Sequence, residues 1–123
     1  MIEPNTPSEA YEAIIDRLVD ETRHYGAATF VADRRIYSNA PDHAPYNAFI
    51  KSLSAEQREL LSRMLRDERS SAIHDVLAEL SWWVTTRDVG MTFRGESMPL
   101  GRTGFGLHGD YSGRCQGFEW SRT

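Results

Sequence analysis

The sequence predicts a mainly α protein, a helical bundle of four to five helices ending in a short glycine-rich β or irregular C-terminal segment. Three observations predict it. Apolar residues recur at helical spacing through residues 7–88, two capping-box signatures precede such runs, and eight of the nine glycines lie from position 90 onward. A chain of 123 residues supports one core, so a single domain over 1–123 is expected, helical over about 7–88 and extended over about 89–123.

The first helix is the best marked. Thr6 can cap it, Pro7 suits its first position, and Glu9 completes Thr-x-x-Glu. Tyr11, Ile14, Ile15, Leu18, Val19, Thr22 and Tyr25 form its inward stripe, and Gly26 is its expected stop. Asp16, Arg17, Asp20, Arg23 and His24 fall on the opposite face. Residues 27–37 fit a short helix, with Thr29-Phe30-Val31 and Ile36-Tyr37 also compatible with extended chain.

Prolines 41 and 45, with Asn39 and Asp42, break the chain at 38–45. Tyr46, Phe49, Ile50 and Leu53 mark a short helix beyond the break. Ser54 and Gln57 then form the second capping box, opening a helix to about Arg69 with Glu56 near its positive end and Arg66 and Arg69 near its negative end. Ser70 or Ser71 is expected to start a last long helix ending near Thr86 to Asp88, with Ile73, Val76, Leu77, Leu80, Trp83 and Val84 inward. Trp82 projects away from Ile73, so either the C-terminal tail or a second subunit should cover it.

Past position 90 the glycine density argues for strands and turns. Phe105, Leu107, Tyr111 and Cys115 share one parity and His108, Asp110, Ser112, Arg114 and Gln116 the other, which an extended segment would separate onto two faces. Met91-Thr92-Phe93 is its candidate partner strand.

Composition narrows the function. A net charge of −4 gives no excess of cations for a phosphate backbone, so nucleic acid is not an expected partner. No apolar run reaches the length of a membrane span. The lone Cys115 and the absence of a leader-like segment fit a reducing, cytoplasmic setting. No cofactor or metal motif is complete. Gly104-Phe105-Gly106-Leu107-His108-Gly109 spells G-x-G-x-x-G but lacks the expected helix start behind it, and a Walker A loop, a C-x-x-C pair, His-Glu-x-x-His and Gly-x-Ser-x-Gly are missing. Glu12, Asp16 and Asp20 stack as the carboxylates of helical magnesium-dependent hydrolases do, yet on the face expected to be solvated. His74-Asp75 resembles the metal-binding pair of the helical HD phosphohydrolases without the further ligands that those enzymes need.

The candidate ligand-binding residues are therefore His74, Asp75, His108, Asp110, Tyr111 and Arg114. In the last group Arg114 could hold an anion while Asp110 fixes the tautomer of His108, and the plainer expectation is a hydrated strand face with a local ion pair from Asp110 to Arg114 or Arg94.

Two stretches, Leu60 to Leu80 with its core Ile73-His74-Asp75-Val76-Leu77, and Gly109-Asp110-Tyr111-Ser112-Gly113-Arg114 through Trp120, resemble small bacterial proteins of an uncharacterised family. The resemblance covers about half the chain and implies no activity. The expected function is a non-enzymatic binding or interaction module that self-associates, as a homodimer with Trp82 at or near a covered surface. The alternative is a small hydrolase acting on a phosphorylated metabolite, with His74, Asp75, His108, Asp110 and Arg114 converging.

Overall fold

The computed structural model describes residues 3–101 and 103–120. Among them are five α-helices and one two-stranded hairpin: α1 Pro7–Asp20, α2 Ala28–Arg34, α3 Ala44–Lys51, α4 Ala55–Arg87, β1 Thr92–Phe93, β2 Glu96–Ser97 and α5 Gly106–Cys115. The chain is mostly helical, as its periodicity predicts. Its contacts divide it into two compact units, Met1–Thr22 with Ala72–Thr123, and Arg23–Ser71.

In the first unit α1 begins as expected. Thr6 Oγ1 accepts the Glu9 N–H at 3.1 Å, and a proline opens the first turn. The helix ends at Asp20, ahead of the expected stop, because the chain tightens into a 3-10 turn over Thr22–His24 before Gly26 takes φ 97°. The buried face is also rotated from the expected one. Tyr11, Ile15 and Val19 are buried and Leu18 partly so, whereas Ile14 is exposed and Glu12 is buried. A helix clamped between neighbours on two flanks buries more than one narrow apolar stripe, so polar residues beside the stripe go inward with it.

The expected break at Ser70-Ser71 is absent. One helix, α4, runs from Ala55 to Arg87, since no Gly or Pro interrupts that stretch and serine costs a helix interior only a few tenths of a kcal/mol, about 0.5. It stops where the sequence predicts, as Asp88 turns left-handed at φ 55° and the Val89 N–H returns to the Trp83 carbonyl at 3.3 Å.

The hairpin pairs Thr92 with Ser97 and Phe93 with Glu96. Arg94 and Gly95, at φ 51° and 84°, form its two-residue turn, which matches the twist of the strands. Met91-Thr92-Phe93 thus pairs locally and not with the C-terminal segment.

That segment holds the largest departure from expectation: Gly106–Cys115 is a helix, not a strand. It packs along α1, and β1 also meets α1. Leu107, Tyr111 and Trp120 join Ala10, Tyr11, Ile15, Val19, Leu77 and Met98 in the core of this unit.

In the second unit the ambiguous stretch resolves to the helix α2, closed by Arg35 at φ 57°. Asn47 on α3 pins the proline-rich turn before it, accepting from the Tyr37 N–H at 2.7 Å and donating to the Ser38 carbonyl at 2.8 Å. The Ser54–Gln57 capping box forms reciprocally, at 3.1 and 2.8 Å. Ser62 is fully buried and donates to the Ala28 carbonyl at 2.8 Å, which holds α4 against α2 within this unit.

Candidate functional site

Helix α5 presents different chemistry on its two buried flanks. Its N-terminus carries no side-chain cap of its own. The missing acceptor comes from α4, where the buried Ser81 Oγ takes the Leu107 N–H at 2.8 Å. Its hydroxyl hydrogen is then free to point at His108 Nδ1, 3.3 Å away. The His108 ring meets His74 edge to face, with centroids 5.4 Å apart, and His74 Nδ1 lies 3.2 Å from the largely solvated Asp75 carboxylate. Replacing Ser81 by alanine strips this helix of its borrowed cap and is expected to lower unfolding free energy by about 1–2 kcal/mol, measured by urea titration. A loss under about 0.5 kcal/mol would show that the cap is dispensable.

The opposite flank faces α1. Tyr11 Oη donates to one oxygen of Asp110 and Thr103 Oγ1 to the other. One turn on, Arg114 Nε donates to Asp16 at 2.6 Å, and its second donor reaches the Phe118 carbonyl at 2.6 Å. Asp16 also accepts from Trp120 Nε1 at 3.0 Å, with the Arg114 guanidinium over the Trp120 ring at 5.5 Å. Asp16 is therefore a structural anchor and not part of a solvated carboxylate line.

These contacts revise the roles expected for the six candidates. His74 and His108 come together, with Asp75 beside them on the solvent side. Asp110, Tyr111 and Arg114 lie on the α1 side, where Tyr111 is buried in the core. Asp110 bonds Tyr11 and Thr103, so it does not orient His108. Arg114 takes Asp16 as its partner, in place of the local pair with Asp110, and its charge is answered within the fold. The five residues of the hydrolase alternative thus occupy two places. Among the described residues no group of three or more His, Cys, Asp or Glu is placed to hold a metal ion.

The Gly-x-Gly-x-x-Gly stretch does open a helix, contrary to expectation, because α5 starts at Gly106. It still lacks the fingerprint's geometry: turn residues precede it instead of a strand, and the Leu107 amide is taken by Ser81.

A cavity of about 640 Å³ opens alongside α5, lined by Phe105, Asp110, Arg114, Phe118, Glu119 and Trp120 among others. Gly109 and Gly113, one turn apart, also line it and carry no side chain on that face. A Cβ at Gly109 would stand 2.5 Å from Phe105 Cβ, and one at Gly113 3.4 Å from the Phe118 ring. Gly109 thus admits the Phe105 Cβ, and Gly113 the Phe118 ring, close to the helix. Sequence reasoning missed Thr103, Phe105, Phe118 and Trp120 because reading the segment as a strand scatters them. Read at helical spacing, the glycines at 109 and 113 would have flagged a bare helix face.

Fold and cavity together define a mostly helical chain with a concave, aromatic-lined site. A family model matches residues 4–122, nearly the whole chain, and the chain belongs to that family, a family of unknown function (DUF6547). No curated protein and no solved structure matches it. No helix among the described residues is long and apolar enough to cross a membrane.

Proposed function

We propose that the protein is a non-enzymatic interaction module that pairs with a second copy of itself through the C-terminal half of α4. The observation that carries this reading is an apolar helix face left bare. Val76, Leu80 and Trp83, at i, i+4 and i+7, are 60%, 44% and 42% exposed, and Trp82 beside them is 45% exposed. The inward side of this half-helix is instead Ile73, Leu77, Ser81 and Val84. Of the two covers that Trp82 could have, the tail is occupied elsewhere, since α5 docks on the Ser81 side.

Charge supports a copy of the same chain as the occupant. Arg87 continues the Val76-Leu80-Trp83 stripe at its C-terminal end, while Asp75 and Glu79 flank its N-terminal end. Two such helices packed antiparallel would set each Arg87 against the partner's acidic end, an isologous contact with complementary charge. The ring pair Trp82–Trp83, with centroids 5.1 Å apart, and Arg87 over Trp82 at 5.1 Å give this face the aromatic and arginine content of an interface centre. A hydrolase of phosphorylated metabolites draws less support, because its five residues sit in two places. A reducing compartment of a bacterial cell is part of the same proposal, resting on the resemblance and on the free thiol of Cys115.

Leu80→Glu tests it, since an exposed position accepts the charge without unfolding while a paired face does not. The expected result by light scattering is a dimer for the native chain and a monomer for the variant, a weakening of at least about 100-fold. Unchanged mass in the variant would refute the proposed face.

A further inference from the structure

We infer that the cavity beside α5 binds a small organic cation, an ammonium ion carried on an apolar body. Among the charged side chains lining the cavity are Asp110, Glu119 and Arg114. Arg114 is held by Asp16 at 2.6 Å, so its positive charge is already matched inside the fold. Asp110 is different: it is 5% exposed, and its described partners are the hydroxyls of Tyr11 and Thr103. Hydroxyl dipoles orient toward a carboxylate but carry no net charge. Once Arg114 and Asp16 cancel, the described lining is left with two carboxylates, one of them buried, and a cation is the ligand that answers them.

The walls point to the same chemistry. Phe105 and Phe118 are 73% and 64% exposed, the two most exposed of the large apolar side chains among the described residues, and both line the cavity. The Phe105 Cβ lies close to Gly109 and the Phe118 ring close to Gly113, so both side chains border the cavity wall that α5 forms. Aromatic faces attract a desolvated ammonium group, and their area favours an apolar body behind it. A volume of about 640 Å³ suits a small molecule. The Trp120 face is already taken by Arg114, so Phe105 and Phe118 are the rings left for the ligand.

Three probes of similar shape and different charge separate the possibilities: 2-phenylethylammonium, 2-phenylethanol and 3-phenylpropanoate, each titrated to about 10 mM against the ¹⁵N-labelled chain while the Gly109 and Gly113 amide resonances are followed. The expected result is saturable shifts with the ammonium ion, binding roughly tenfold weaker for the alcohol, and none for the carboxylate. Asp110→Asn is expected to weaken the ammonium ion about tenfold, as is Phe118→Ser, whose exposed position keeps the fold intact if the first variant unfolds. Preference for the carboxylate, equal binding of ammonium ion and alcohol, or no saturable shift with the folded chain would each overturn the inference. The cavity is formed within one chain, so Leu80→Glu should bind the ammonium ion unchanged, and failure of the pairing proposal would leave this one standing.

Discussion

Replacing Tyr11 by alanine is expected to remove about 4 kcal/mol of unfolding free energy, the largest loss from any single side chain of α1. Tyr11 is 1% exposed, packs edge to face on Trp120 at 5.9 Å, and donates its hydroxyl to Asp110. Truncation therefore opens a ring-sized void and removes one of the two hydroxyl donors to a buried carboxylate. Tyr11→Phe separates the two effects. It keeps the packing and deletes only the donor, so about 1–3 kcal/mol is expected, the range for a buried acceptor left short of a partner. Urea titration with fluorescence and far-UV detection measures both. A phenylalanine variant as stable as the native chain would mean that the Asp110 contact contributes nothing to the docking of α5 on α1.

The second large effect is expected at Asp16. Its two oxygens hold separate parts of the C-terminal segment, Arg114 at 2.6 Å and Trp120 at 3.0 Å, and both ends of the ion pair are about seven-tenths shielded from water. Asp16→Ala leaves a guanidinium and an indole N–H short of their acceptor, and a loss of about 2–3 kcal/mol is expected, above the roughly 0–1 kcal/mol of an exposed pair. Asp16→Asn keeps the shape and one acceptor and should fall between. The fluorescence of Trp120 should shift to the red in the alanine variant as its ring loosens from α1. An alanine variant within about 0.5 kcal/mol of the native chain would mark this as an ordinary surface pair.

Much of the helical frame is legible in the sequence because local chemistry dictates it. Thr6 with Glu9 and Ser54 with Gln57 open helices where they stand, Pro41 opens a short 3-10 turn ahead of α3, whose first turn takes Pro45, and Asp88 closes α4 near the expected end. The errors arise where tertiary contacts outweigh propensity. Three glycines in α5 argue against helix, yet docking on α1 through Leu107, Asp110, Tyr111 and Arg114, at i, i+3, i+4 and i+7, outweighs their cost. The spacing of Leu107, Tyr111 and Cys115 is itself ambiguous, since a step of four residues keeps one face of a strand and nearly one face of a helix. The inward positions between them are a carboxylate and a guanidinium, which no hydrophobic pattern marks as core.

The same logic limits the candidate site. Six residues on two stretches could be singled out, and the fold does bring His74 to His108. It separates them from Asp110 and Arg114 because positions 108 and 110 point to opposite flanks of a helix, where a strand would have kept them together. The partner that neutralises Arg114 lies 98 residues earlier in the chain, beyond the reach of any local pattern. Nor could the stripe on α4 be divided correctly from periodicity. Val76, Leu80 and Trp83 are as apolar as Ile73, Leu77 and Val84, and only the docking of α5 at Ser81 decides which side is left bare.

That bare face is the centre of the functional account, and the solution mass of the unmodified chain tests it most directly. Sedimentation equilibrium over a wide concentration range should give twice the 14.0 kDa of one chain at high concentration, falling toward a single chain on dilution. A mass of one chain at every concentration up to about 1 mM, weaker than any specific pairing needs, would contradict it.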